Sequence, residues 1–139
     1  MGVETRFLSV KTKGDLDIID ITKMVTGELK KSKIASGIVA IFCPGSTASI
    51  STIEFEPNLV KDFSEAVERI IPSDIMYRHR ETWGDNNGKS HVRATLMGPG
   101  ITVPFNERRL LLGKWQQIAL LDFDVPPRER KIVLQIVGE

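Results

Sequence analysis

Trp115-Gln-Gln-Ile-Ala-Leu-Leu-Asp-Phe-Asp-Val-Pro-Pro-Arg-Glu-Arg-Lys-Ile-Val-Leu-Gln-Ile-Val137 decides the fold. It holds two strand-like runs, Trp115–Leu121 and Lys131–Val137, separated by a charged, proline-containing segment. Upstream the same grammar repeats in His91–Met97, Ile101–Phe105 and Arg109–Leu112. Gly, Pro and Asn punctuate these runs at short intervals, as in antiparallel sheets. Thr5–Lys11, the β-branched run Gly37–Cys43 and the Ser/Thr/Ile-rich Ser46–Ile53 read as further strands. Two helices complete the pattern. One is capped by Asp20 and continues to about Lys31, with Ile21, Met24, Val25 and Leu29 on one stripe. The other opens at Pro57 and stops at Pro72, with Leu59, Val60, Phe63, Ala66, Val67, Ile70 and Ile71 at helical spacing. The reading is a single domain over residues 1–139, of α+β class, mostly antiparallel β-sandwich with two helices packed outside.

Length and charge narrow the function classes. A chain of 139 residues buries an ordinary core without staples. With 19 Lys and Arg against 18 Asp and Glu, it lacks the basic footprint of a general nucleic-acid binder. Cys43 is the one cysteine, so no intrachain disulfide forms, and an intracellular setting follows. No apolar run approaches the ~20 residues of a membrane span. Met-Gly-Val-Glu-Thr-Arg-Phe7 contains neither a signal-peptide core nor a myristoylation pattern. A cytoplasmic protein is expected.

Several constellations can carry chemistry. In Cys43-Pro-Gly-Ser-Thr-Ala-Ser49, a glycine beside hydroxyls can turn donors toward an anion, and the same residues equally make a Pro-Gly turn. Glu54 ends its strand as a candidate base or metal ligand, or as a solvated strand end. His79 and His91, the two histidines, flank Asp85-Asn-Asn-Gly88. They suit acid–base work or part of a metal shell, or simply structural roles. On the expected strand His91, Arg93 and Thr95 share a face, with Val92, Ala94 and Leu96 opposite. Trp115 can stack on a heterocycle while Gln116 reads its edge; a core Trp is the plainer reading. Asp122 and Asp124 can bind Mg2+ with Arg128 and Arg130 clamping phosphate, or the four form a salt-bridged hairpin.

These residues, taken in order, resemble the YjbQ family. The carriers are Phe42-Cys-Pro-Gly-Ser-Thr-Ala-Ser-Ile50 with Glu54, Tyr77-Arg-His79, Asn87 four residues before His91, and Leu96-Met-Gly-Pro99. Leu112-Gly-Lys-Trp-Gln116, Asp122-Phe-Asp124 and Pro127-Arg-Glu-Arg130 complete the set. The resemblance implies a compact homotrimeric sandwich with a site near a subunit boundary. That site would use the Cys-Pro loop, Glu54, His79, Asn87, His91, Trp115 and Gln116. It also implies thiamine-phosphate synthase activity. Family members usually carry His-Thr-Thr where this chain has Gly45-Ser-Thr47, and Asn where it has Ile53.

Three functions follow as expectations. The first is a transferase joining an aminopyrimidine diphosphate to a thiazole phosphate. Its catalytic residues would be His79, His91 and Glu54, with Ser46, Thr47, Arg93 and Arg128 on phosphates. Asn87, Trp115 and Gln116 would line the ligand, and Mg2+ or another divalent ion would spread charge. The second is a trimeric protein that binds a phosphate or other small ligand without catalysis, favoured by Gly45. The third is a metal-assisted hydrolase holding its ion through His79, His91 and Glu54. In each the partner is a small phosphorylated molecule, with no nucleic acid or membrane.

Overall fold

The computed structural model describes residues 1–139. Twelve elements follow one another: β1 Gly2–Lys11, β2 Asp17–Asp20, α1 Thr22–Lys30, β3 Gly37–Phe42, β4 Ala48–Ile53, α2 Pro57–Ile70, α3 His79–Trp83, α4 Gly88–Met97, β5 Gly100–Asn106, β6 Arg109–Leu110, β7 Gln117–Asp122 and β8 Glu129–Gly138. The strands form two antiparallel sheets, β1-β8-β3-β5-β6 and β2-β7-β4. The class is α+β, as expected, with four helices rather than two.

The layering follows from alternation. On β7, Ile118 and Leu120 join the main core against the five-stranded sheet, among Val39, Ile41, Ile132, Leu134 and Ile136. Ala119 and Leu121 face the other way and pack with Phe123, Val67 of α2 and Ala94 of α4. The strand is buried on both faces, which explains its near-continuous apolar run. Burying a Leu or Ile side chain contributes roughly 1.5–3 kcal/mol, so β7 anchors both layers. Where β3 begins beside the end of β8, Gly37 and Gly138 pass so closely that a Cβ on either would collide with backbone.

The helices start and stop for local reasons. Glu56 accepts the Asn58 and Leu59 N–H groups at 3.0 and 2.8 Å and Pro57 opens the first turn, so α2 starts where expected. Asp20 accepts the Thr22 N–H at 3.0 Å at the start of α1. A short helix, α3, closes on Gly84 at φ +71°, a left-handed C-terminal glycine.

The largest departure is His91–Met97, which is helix α4 and not a strand. The heptapeptide fits a two-residue period, but α4 as a whole buries Gly88, Ser90, Arg93 and Ala94 with Met97 partly buried, and the 90, 93, 94, 97 set is helical spacing. Gly98 at φ +86° followed by Pro99 ends it, a stop signal legible in the sequence. Trp115 and Gln116 precede β7 in a loop, and β6 ends at Leu110.

Candidate functional site

Converting His91–Met97 to a helix redistributes its side chains. His91 and Arg93 no longer share a face, because two positions along a helix turn by about 200°. Arg93 points inward and is 2% exposed. Its Nε and Nη2 donate to the Ile71 carbonyl at 3.2 and 2.7 Å, and Nη2 also donates to Glu68 at 2.8 Å. Arg93 is therefore committed to fastening α4 to the end of α2, which corrects its expected placement in a polar pocket.

His91 turns the other way, toward α3. Its ring centroid lies 4.5 Å from that of His79, with 36° between planes. His79 Nδ1 is 2.8 Å from Asp85 Oδ1. An ionised carboxylate only accepts, so this contact assigns the Nδ1 proton to His79 and leaves Nε2 as the acceptor nitrogen of the neutral ring. Asp85 orients the imidazole, a role that its place in the Asp85-Asn-Asn-Gly88 turn does not announce.

Behind this pair stands a buried charge network. Arg130 Nε and Nη2 donate to Asp122 Oδ2 and Oδ1 at 3.0 and 2.8 Å, a bidentate pair. Thr12 Oγ1 donates to Asp122 at 2.6 Å. Arg130 Nη2 also reaches Thr47 Oγ1 at 2.8 Å, and Thr47 donates to Asp124 at 3.2 Å. Arg128 Nε donates to Asp124 at 3.0 Å. The charged-hairpin reading is thus the one realised, and both carboxylates are already neutralised by arginine. Thr47 and Arg128 serve this network, while Ser46 is exposed beside it. Burial pushes the Asp124 carboxyl up, but the Val125 N–H and Arg128 outweigh it and hold Asp124 below the usual carboxylate value. Burial pulls the Arg130 guanidinium down, and Asp122 more than reverses this. Burial also raises the Cys43 thiol, which keeps it protonated and inert.

Asn87 joins the two groups. Its amide lies between carboxylates, 3.3 Å from Asp124 Oδ1 in one orientation. Turned over, its nitrogen lies 3.1 and 3.2 Å from the two oxygens of Asp85, and these two contacts favour that assignment. Either way Asn87 sits between Asp85 and Asp124. Beside them is a cleft of about 390 Å3 lined by Tyr77, Arg80, Asp85, Gly88 and Lys89. Lys89 Nζ reaches Ser73 at 3.0 Å and Asp15 at 3.2 Å.

Glu54, Trp115 and Gln116 lie elsewhere. Along the β4–β7 ladder Ala48 pairs with Asp122 and Ile53 with Gln117, so Glu54 sits at the far end. Five residue steps of strand are about 17 Å. Glu54 lines a separate open cleft with Trp115 and Gln116. Trp115 is 66% exposed and carries the Lys114 ammonium 4.9 Å over its ring, so it is not a core residue. No three His, Cys, Asp or Glu side chains gather to hold a metal ion, so the His79, His91 and Glu54 ligand set is not assembled within one chain. The donor set does not fit that metal centre.

Gly45 has φ +122°, a conformation that disfavours side chains, and a Cβ there would lie 3.5 Å from Arg130 Nη1. The loop is shaped for the residue it has.

Fold and site define a small β-rich α+β protein with a histidine pair beside an open cleft lined by Asp85. The model of the family described as "UPF0047 protein YjbQ-like" matches residues 6–139. The chain belongs to this family. It is 38% identical over 139 residues to a UPF0047 protein of Methanothermobacter thermautotrophicus, covering 100% of this chain and 95% of that one. The UPF0047 protein YugU of Bacillus subtilis is 32% identical, with 94% and 97% covered. A YjbQ-like protein of unknown function from Sulfolobus solfataricus superposes with TM-score 0.89 at 31% identity, covering 99% and 100% of the two chains. No helix is long and apolar enough to cross a membrane.

Proposed function

We propose that the chain is a small-molecule enzyme in which His79, oriented by Asp85 and backed by His91, exchanges a proton with a phosphorylated substrate. The observation that carries this is the 2.8 Å contact between His79 Nδ1 and Asp85 Oδ1, with the second imidazole packed against it at a tilt. A carboxylate that fixes one ring nitrogen leaves the other to act as acid or base, the geometry that general acid–base catalysis needs. Arg80, which makes no ion pair, supplies positive charge for a phosphate in the adjoining cleft. It takes the place of Arg93 and Arg128, whose donors are engaged internally.

The particular reaction proposed is thiamine-phosphate-type transfer. A thiazole nitrogen attacks the pyrimidine methylene, the new C–N bond forms as the C–O bond to pyrophosphate breaks, Arg80 donates to the departing oxygens, and Nε2 of His79, the unprotonated nitrogen of this tautomer, accepts from the aminopyrimidine amino group. Any divalent ion would be held through substrate phosphates rather than by a three-residue protein cage. Purified protein incubated with the two precursors and Mg2+ should form thiamine phosphate, with His79→Ala lowering the rate about 100-fold or more. No product from wild-type protein would remove this reaction.

Gly45 favours a second reading, a binder of small phosphorylated ligands without turnover. Saturable binding of the precursors with no product would identify it.

A homotrimer is also proposed. Val3, Phe7, Ile38 and Phe42 stand exposed on the outer face of the five-stranded sheet, and a second and third copy would cover such a face. Light scattering should give three chain masses at micromolar concentration; a monomer mass would refute it.

A further inference from the structure

The opposite end of β7 carries a feature that the histidine cleft does not use. On α1, Thr22, Thr26 and Lys30 recur every fourth residue and therefore share one face. Arg108, Arg109 and Leu110 of the β5–β6 hairpin lie across from it, and the space between is a cleft of about 450 Å3. That volume suits a small organic ligand. Leu112, Gly113, Gln116 and Gln117 complete the lining, so three cations line the cleft and no carboxylate does. In a chain with nearly balanced charge, this is a local departure.

The cations are not consumed elsewhere to the same degree. Lys30 and Arg109 make no ion pair, whereas the arginines at the other end of β7 are paired with aspartates. Thr22 is engaged, its Oγ1 donating to Asp20 at 2.7 Å and accepting the Ile118 N–H at 2.8 Å. The side chains of Thr26 and Gln117 make no hydrogen bond within the chain and remain available as donors.

A second observation concerns the turn that delivers the arginines. Glu107 and Arg108 both have positive φ, +48° and +59°, where a two-residue hairpin turn normally uses Asn or Gly. Arg108 is nevertheless pinned, its N–H donating to the Ala35 carbonyl at 2.8 Å and its Nε to the Ser32 carbonyl at 2.9 Å. Strained non-glycine backbone that its surroundings hold in place is a mark of functional segments. Here it lays a guanidinium beside the C-terminal end of α1.

We infer that this cleft is a second anion site, which takes a small organic phosphate. The phosphate would sit on Lys30 and Arg109 with Thr26 and Gln117 donating, and Leu110 and Leu112 would meet its carbon part. The inference does not depend on turnover at the histidines.

Pyrophosphate is the probe, titrated at constant ionic strength while backbone amide resonances are followed. The expected result is saturable shifts at Thr26, Gly113 and Gln117, with those at His79 and Gly88 fitting a separate isotherm or not moving. A Lys30→Gln/Arg109→Gln variant, its remaining spectrum superimposable on wild type, should weaken the Thr26 and Gln117 response about tenfold or more. His79→Ala should leave that response unchanged. A linear, non-saturating response, shifts confined to the histidine cleft, or a double variant that binds like wild type would each overturn the inference.

Discussion

The two ends of β7 are built on opposite electrostatic plans. At Asp122 every charge is buried or half-buried and has a partner, with carboxylates and guanidiniums matched one to one. At Gln117 none of the three cations makes an ion pair, Lys30 and Arg109 being open to solvent and Arg108 bonded to backbone carbonyls. The difference teaches that charge in a site can be either scaffold or bait. A buried ion pair that is broken leaves an uncompensated charge in low dielectric, whereas an exposed cation is solvated and free to meet a ligand.

Breaking the buried end should have the largest effect. Asp122→Ala strands the Arg130 guanidinium and should destabilise the protein by about 3–5 kcal/mol in urea unfolding. Pairing Asp122→Leu with Arg130→Met should recover much of that loss, because neither member of this pair is then left buried without the other. A loss below about 1 kcal/mol for Asp122→Ala would mean that the pair behaves as a surface bridge.

Arg93 comes next. Arg93→Met keeps much of the volume but orphans the Ile71 carbonyl, so a cost of about 1–3 kcal/mol is expected from the same measurement. Wild-type stability here would show that α4 does not need this tie.

A pH series sharpens the comparison further. The Ser73 N–H and hydroxyl, then Arg93, lower the Glu68 carboxyl to about 2 from its ordinary 4.5. Its folded value lies below its unfolded one, so its contribution is present above about pH 4.5 and is lost as pH falls toward about 2. Asp124, also lowered, acts in the same direction. Melting temperature should fall across that window, and Glu68→Gln should flatten part of the fall. An unchanged profile for the variant would contradict the assignment.

The smallest effect belongs to the open end. Lys30→Gln and Arg109→Gln should each shift stability by no more than about 0.5 kcal/mol. A large loss at either would mean that the cation is structural and not available to a ligand.

How much of this was legible depended on what each segment packs against. Strands β1, β3 and β8, and helix α2 with its Pro57 start, were readable because period and stop signals agree. His91–Met97 was not, since its alternating polarity satisfies both periods, and the Gly98-Pro99 stop decides between them only once a helix is considered. Arg93 looked like a ligand because an assumed strand put it on one face with His91, and its carbonyl partner on Ile71 is remote in sequence. The meeting of His79 and His91 was legible as proximity across a short loop. The separation of Glu54 from them was not, because it depends on which end of the β4–β7 ladder each residue occupies. Asp85 was hidden for a simpler reason, an acidic residue in an Asn/Gly loop being the ordinary composition of a turn.

The central claim is that Asp85 sets the proton on His79. Long-range nitrogen–carbon-bound-proton correlation spectra report the tautomer of each neutral histidine. The wild type should show His79 with its proton on Nδ1, and Asp85→Ala should lose that preference while the overall amide spectrum is retained. A neutral His79 carrying its proton on Nε2 in the wild type would contradict the account.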